Sequence, residues 1–382
     1  MLRAGVGIST RPNPLAAVEE AAAAALAGSE APAAALLFAG SAFRDDSAQL
    51  LDAATAALGT EAIVGATAHG VLAAGQEVED PTCVAVLAWS GVETLPFLLA
   101  DPSGEELSAC REIAERLGGA QEEDLVVLFP DPRNFRAAEF LAASREALGP
   151  ATLVGAGAGD PLAGEPLQWC GRVVCSGGIS GLVLRGSKPP RVGVTQACRP
   201  GTELLTVTRS RGHWILELDG RPALDVYREV ARAPLAADLR RAAAFLLVGL
   251  PADPAAAALE PGSYLVRQVI GFEAEANAFA IPDQPKPGDR LALVVREPEA
   301  ARDDLKAMLA GLGAPPSGFG IYFDCCARGA GFFGMQGLEA AYLESACGAA
   351  PLAGMFGSCE IGPIGSRAEL LTYTGVLALI DG

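Results

Sequence analysis

A single carboxylate, Glu360, stands in the glycine-rich stretch "PLAGMFGSCEIGPIG", Pro351 to Gly365. An unpaired carboxylate is costly to bury, so such a loop calls for backbone N–H groups, a cation or a ligand beside it. Arg328 in "CCARG" is the leading candidate partner. It follows the strand-like "GFGIYFDCC", while Glu360 follows the next strand of the same strand–helix–strand pattern. If those strands are parallel neighbours, both side chains reach one edge of a sheet, the edge where open α/β sheets bind ligands. Such a pair can grip a zwitterion, the guanidinium binding carboxylate and Glu360 accepting from ammonium. The alternative is a structural ion pair that locks the two loops.

Other residues could share that edge. Cys325 becomes a nucleophile only with a lowered thiol pKa and a positioned base, and the chain holds just two histidines, His69 and His213, neither near it in sequence. A structural or pocket-lining role is therefore expected for Cys325, with no catalytic residue and no enzyme activity. His69, after "GATA", occupies a place corresponding to Asp160 in the second repeat described below and to Glu360 in the third, so the three are candidate walls of one cavity. His69 is also the one candidate haem ligand. His213, in "RGHWILEL", sits at a turn before a strand. Arg267 interrupts the apolar "LVRQVIG" and either points into the same pocket or pairs with an acid such as Glu217. The run "RGAGFFGMQG", which begins with Arg328 and Gly329, resembles a phosphate cradle but lacks the G-K-[ST] ending and the dinucleotide fingerprint, which excludes nucleotide binding.

The elements that must position these residues recur three times. "AALLFAGSAF", "DLVVLFPDPRNF" and "GFGIYFDCCARGAGFF" each lead to a helix, then to a glycine-bearing strand in "AIVGATAHGVL", "TLVGAGAGDPL" and "PLAGMFGSCEIGP", and later to a further strand. From Phe38, Phe129 and Phe323 to Gly65, Gly155 and Gly354 the intervals are 27, 26 and 31 residues, which marks one reused unit. The helix returns the chain so that its two strands run parallel, and the later strand pairs beside them. The chain opens with the strand "RAGVGIST" and a helix with Asn13 as N-cap, Pro14 at its first position and Gly28 as its stop. Between the second and third units, "RVGVTQAC", "ELLTVTRS", "HWILELDG", "YLVRQVIGFEAEANAFAIP" and "RLALVVRE" read as strands, with helices at "PALDVYREVAR" and "EAARDDLKAMLAGLG". "GSKPPR", Gly186 to Arg191, is the best linker candidate, or else a tight loop inside one body. The expected fold is α/β, with mixed β-sheets flanked by helices, internal strand–helix–strand pseudo-repeats and two domains, 1–188 and 189–382.

Composition narrows the function classes. The 382 residues carry 28 Lys and Arg against 46 Asp and Glu, a net charge of −18, so nucleic acid and anionic membrane surfaces are not expected partners. Apolar residues make up 51%, yet no apolar run approaches the roughly 18 residues of a membrane span. The opening "MLRAGVGIST" carries no sustained hydrophobic segment, so no secretory signal and a cytoplasmic location are expected. Nine cysteines at irregular spacings, without C-x-x-C or paired Cys/His clusters, argue against a disulfide framework and a structural zinc site.

"ELDGRPALDVYREV", "YLVRQVIGFEAEANAFAIPD", "FDCCARGAGFFG" and "PLAGMFGSCEIGPIG" resemble, in order and wording, the C-terminal half of FIST proteins. "GVGIST", "IVGATAHGVL" and "GISGLVLRG" resemble the FIST N-terminal domain. The resemblance implies a sensory module of bacterial signal transduction that binds a small ligand such as an amino acid and works with a separate signalling protein. No cofactor is expected, and the resemblance supplies a haem-binding nitric oxide sensor as the alternative reading, with a cysteine-dependent enzyme as a more distant one. Cys325 and Arg267 match family positions. Ser358 and Cys359 replace the first two residues of an N-G-E-I-G-P-like motif, which changes the polarity of that wall, while Glu360, Ile361, Gly362 and Pro363 keep the pattern. No kinase, cyclase, methyl-accepting or F-box pattern is recognised elsewhere in the sequence.

Overall fold

The computed structural model describes residues 2–27, 31–159 and 164–382. Gly28 and Asp160 lie outside the described residues. Mixed sheets flanked by helices make up the fold, and the chain forms two compact units. Unit 1 comprises Met1–Val194, Met308–Leu370 and Thr374–Gly382, and unit 2 comprises Thr195–Ala307 and Leu371–Tyr373. The units thus divide the chain differently from two consecutive blocks, 1–188 and 189–382, and residues 186–190 form a loop inside unit 1 that leads into a strand at Arg191. The reason is strand pairing. Strands near the C-terminus complete sheets begun in the N-terminal half, and a ladder cannot be cut without exposing its backbone groups.

The paired parallel strands of all three repeats, with the helices that link them, belong to unit 1. The strands Ala34–Gly40 and Ile63–Ala68 are parallel, as are Asp124–Pro130 with Thr152–Ala156 and Phe319–Cys325 with Leu352–Gly357. The linking helices are Ser47–Leu58, Ala137–Leu148 and Leu338–Cys347, the last preceded by a short helix, Gly329–Phe333. Antiparallel to each first strand lies a later one, Val84–Ser90, Ile179–Arg185 or Thr374–Ile380. Each repeat also begins with an extra strand and helix. The strands Arg3–Ser9, Glu93–Leu99 and Arg191–Gln196 are followed by the helices Pro14–Ala25, Glu106–Arg116 and Pro298–Leu312. Unit 2 therefore interrupts the third repeat: it runs from Thr195 near the end of that opening strand to Ala307 within the opening helix, and adds Leu371–Tyr373. Asn13 caps the first helix as expected, its Oδ1 accepting from the Ala16 N–H at 3.0 Å.

After its second parallel strand each repeat sends a hairpin into another repeat's sheet. Gly70–Ala73 with Gln76–Val78 joins Leu352–Gly357 of the third repeat. The pair Gln168–Cys170 and Val173–Cys175 joins Ile63–Ala68 of the first. Glu360–Ile364 with Arg367–Leu371 joins Thr152–Ala156 of the second. Among the described residues three six-stranded sheets result, each built from two repeats and linked in a cycle. Phe38, Phe129 and Phe323, at matching positions, are fully buried and pack edge to face with centroids 5.3 and 5.8 Å apart. Gly65, Gly155 and Gly354 also match. A Cβ on any of them would fall 1.8–2.0 Å from the carbonyl oxygen of Leu37, Leu128 or Tyr322 on the adjacent parallel strand. These glycines let the backbones of neighbouring strands close up.

Unit 2 is an antiparallel sheet. Its path runs from Tyr264–Arg267 through Leu246–Pro251, Arg290–Arg296, Leu205–Arg211, Trp214–Leu218 and Ala278–Ala280 to Gly271–Glu273. The helix Ala223–Ala231 covers it and buries Leu224 and Tyr227 against Ile215, Phe279 and Leu291.

Candidate functional site

The hairpin exchange brings the ends of the second parallel strands together in unit 1. His69 N–H donates to the Phe356 carbonyl at 3.1 Å, Gly159 N–H to Thr67 O at 2.6 Å, and Gly157 N–H to Cys359 O at 2.8 Å. Ser358 N–H returns a bond to Gly157 O at 3.1 Å. First repeat is thus laced to third, second to first and third to second. His69 and Ser358 take part in this lacing, and Glu360 follows two residues after Ser358 at the start of the exchanged hairpin; Asp160, the matching residue of the second repeat, is outside the described residues.

Glu360 opens its hairpin strand with no solvent exposure. Its Oε2 accepts from Thr374 Oγ1 at 2.7 Å and from Thr374 N–H at 3.4 Å, and Oε1 has no hydrogen-bond partner. Burial, and after it the neighbouring Cys325 thiol, pushes the Glu360 carboxyl well above the usual carboxylate range. Cys325 is buried at the end of Phe319–Cys325. Burial also pushes the Cys359 thiol up to about 12.

Arg328 does not pair with Glu360. Its fully buried guanidinium reaches Asp324 Oδ1 from Nε at 3.0 Å and Glu339 Oε1 from Nη2 at 2.5 Å, and it lies 5.6 Å from the Phe333 ring centroid. Tyr322 donates its hydroxyl proton to the same Glu339 oxygen at 2.8 Å. The pairing follows from local geometry. Asp324 lies four residues before Arg328 across a tight turn, and Glu339 sits in the first turn of the helix that packs over it. The Arg328 Nη1 atom has no hydrogen-bond partner.

The cluster is unevenly charged. Burial tends to raise Glu339, but Arg328 and the hydrogen bonds from Asp324, Arg328 and Tyr322 hold it below its ordinary value. Asp324 is pushed well above its own, by burial first and then by Glu339, with Glu360 contributing. Burial therefore favours the protonated form of Asp324 and Glu360, while the Arg328 guanidinium favours the ionised form of Glu339. Two further acids come from the exchanged hairpin of the first repeat. Glu77 accepts from Ala340 N–H at 2.6 Å and from Gly337 N–H at 3.1 Å, capping the helix that carries Glu339. Glu79 accepts from Ala330 N–H at 2.7 Å. Gly329, at φ +53°, makes room for it, since a Cβ there would fall 2.6 Å from the Glu79 carboxylate.

The Glu360 pKa sets a sign for stability against pH. A carboxyl raised in the folded state contributes stability that is complete below the unfolded value, about pH 4.5, and is lost as pH rises towards the folded value. Glutamine stays neutral throughout. Glu360→Gln is therefore expected to gain melting temperature relative to the parent chain as pH is raised from 4 to 8. A pH-independent difference in calorimetric melting would show that Glu360 titrates normally.

The remaining candidates lie elsewhere. Arg267 belongs to unit 2, where its Nε bonds Asp283 Oδ2 at 2.8 Å and its Nη1 bonds Val266 O at 3.0 Å. Its acidic partner is Asp283 rather than Glu217, which lies 3.4 Å from Arg209. His213 is exposed in unit 2, its Nδ1 3.0 Å from the Asp283 carbonyl oxygen. Asp324, Glu339, Tyr322 and Thr374 escaped the sequence reading. Asp324 alone left a signal, as the acid that ends an apolar strand in "YFDCC". Glu339 looks like an ordinary first-turn acid, and Thr374 carries no signal. Among the described residues no group of three or more His, Cys, Asp and Glu is placed to hold a metal ion, and no helix is long and apolar enough to cross a membrane.

Comparison with known proteins agrees along the chain. The FIST N domain matches residues 33–221 and the FIST C domain residues 223–363. An uncharacterized protein of Mycobacterium tuberculosis is 32% identical over 389 residues, covering 99% of both chains. An uncharacterized protein of Mycobacterium bovis is also 32% identical over 389 residues, covering 99% of this chain and 98% of its own. Among solved structures, a cyanuric acid hydrolase from A. caulinodans aligns over 48% of this chain and 70% of its own, with 11% identity and a TM-score of 0.28.

Proposed function

The chain belongs to the FIST family, whose domains are sensory domains of signal transduction, and from that premise we propose that the strand-end junction of unit 1 binds a small polar ligand, an amino acid or a close analogue, through its ammonium group. The single observation that carries the reading is the surplus of acid there. Arg328 is engaged by Glu339 and Asp324, while Glu360 Oε1 is buried without a hydrogen-bond partner. A buried polar atom without a partner is costly, and an ammonium supplies several donors at once. Arg328 Nη1, also without a partner, is the matching donor for a ligand carbonyl or carboxylate. His69 and Ser358, both half-buried, form the outer rim. The site binds rather than turns over its ligand, with no cofactor, and the ligand's presence is passed to a separate signalling protein in the cytoplasm. A thiol mechanism gains no support from Cys359, whose proton is held by burial.

An ammonium beside Glu360 favours its ionised form, so binding is coupled to proton release. Titration calorimetry of the whole chain against the twenty amino acids, their methyl esters and their N-acetyl derivatives tests this, run in two buffers of different ionisation enthalpy. For the amino acid that binds, the methyl ester is expected to bind too, the N-acetyl form to lose about tenfold or more in affinity, and protons to be released. Undiminished binding of the N-acetyl form, or no binding by any amino acid, overturns the reading.

A further inference from the structure

Unit 2 contains a solvent-open cleft of about 830 Å³, lined by Asp238, Leu239 and Arg240 on one side and by Gln268, Ile270 and Phe272 on the other. One wall is a sheet edge. The strand Gly271–Glu273 pairs with Ala278–Ala280 on one side and ends the sheet, with no strand on its other side among the described residues. The opposite wall is the short helix Leu239–Ala242 and the turn before it. A free strand edge facing a helix across a groove is the geometry in which an extended polypeptide adds itself as one more strand.

Side chains in the cleft suit an apolar and acidic occupant. Ile270 is 56% exposed, one of the few large hydrophobic residues so exposed in the chain. Arg240 is exposed, and its side chain makes no ion pair or hydrogen bond among the described residues. Asp238 is committed to the helix beside it, its Oδ1 accepting from Arg241 N–H at 3.1 Å. Arg232 and Arg241 add exposed positive charge nearby in sequence. Unit 2 carries 14 Arg and Lys against 16 Asp and Glu, and therefore nearly escapes the net charge of −18 of the whole chain.

We propose that this cleft is a docking groove for an extended acidic segment of a partner polypeptide, which pairs with the free edge of Gly271–Glu273, places an apolar side chain on Ile270 and Leu239, and sets a carboxylate against Arg240. Residues 268–273 span roughly 20 Å when extended, enough for four to six partner residues. Alternation of side chains along such a strand sends every second residue towards the groove, so apolar and acidic residues are expected two apart. The inference concerns unit 2 alone and stands apart from the ligand site of unit 1.

Panning a random octapeptide display library on the whole chain tests it. Enriched peptides are expected to combine apolar and acidic residues. Their fluorescein-labelled synthetic versions are expected to bind the parent chain and to lose about tenfold or more in affinity with Arg240→Glu and with Ile270→Asp. Both replaced residues are exposed, so thermal melting of both variants is expected to match the parent. Three outcomes overturn the proposal: no enrichment, enriched peptides whose binding ignores both variants, or a parent dimer that Ile270→Asp converts to monomer in native mass spectrometry. The last assigns the face to a second copy of the chain.

Discussion

Arg328→Met is expected to destabilise unit 1 by about 3–5 kcal/mol, the cost of removing one partner of a buried ion pair. Glu339 is fully buried, and without the guanidinium it must either hold an uncompensated charge or take up a proton in unfolding-prone surroundings. Urea denaturation followed by circular dichroism measures the loss. The double variant Arg328→Met with Glu339→Gln removes both charges and is expected to recover much of it, because an apolar or neutral replacement of a whole buried pair is often tolerated. This corrects the zwitterion clamp suggested by the sequence. Arg328 is first a structural residue that holds the turn after Phe319–Cys325 to the following helix, and only its Nη1 remains for a ligand. A double variant no more stable than the single one would show that the guanidinium acts through contacts other than Glu339.

Gly354→Ala is expected to cost at least the upper end of the roughly 1–3 kcal/mol typical of overpacking. The obstacle is the backbone carbonyl of Tyr322, 1.8 Å from the new Cβ, and a ladder carbonyl cannot swing aside as a side chain can. Gly65→Ala and Gly155→Ala meet the same obstacle at Leu37 and Leu128. All three are expected to lower the melting temperature in scanning calorimetry, whereas Gly311→Ala, with nothing within 4 Å of its Cβ, serves as the control. A melting temperature for Gly354→Ala equal to that control would mean that the strands separate without cost, and that the close approach has no structural importance.

Much of the fold was legible because the repeat is written in residue types with strict backbone requirements. Phe38, Phe129 and Phe323 and the glycines after them mark matching strands. Helix caps such as Asn13 and Pro14 mark the helix between strands no less clearly. Hairpin exchange left no such mark, since a hairpin reads the same whichever sheet it joins, and so a division at 188 looked natural. The insertion of unit 2 was hidden for a similar reason: the opening strand Arg191–Gln196 and the opening helix Pro298–Leu312 are separated by more than a hundred residues. At the site, Glu360 stood out as a lone charge among glycines. Glu339 did not, because an acid in the first turn of a helix is commonplace, and only burial beside Arg328 makes it special. Arg267 could in sequence either face the same pocket or pair with an acid such as Glu217, and it is Asp283 that engages it within unit 2.

The account rests on Asp324 and Glu360 remaining protonated acids at neutral pH in the ligand-free protein. Infrared spectroscopy reads this directly through the carbonyl stretch of a protonated carboxyl group, which shifts on exchange into deuterium oxide. The account predicts that band at pH 7 in the whole chain, weakened in Glu360→Gln and weakened again when the amino acid found by calorimetry is added. A parent spectrum at pH 7 with no protonated carboxyl band would contradict it.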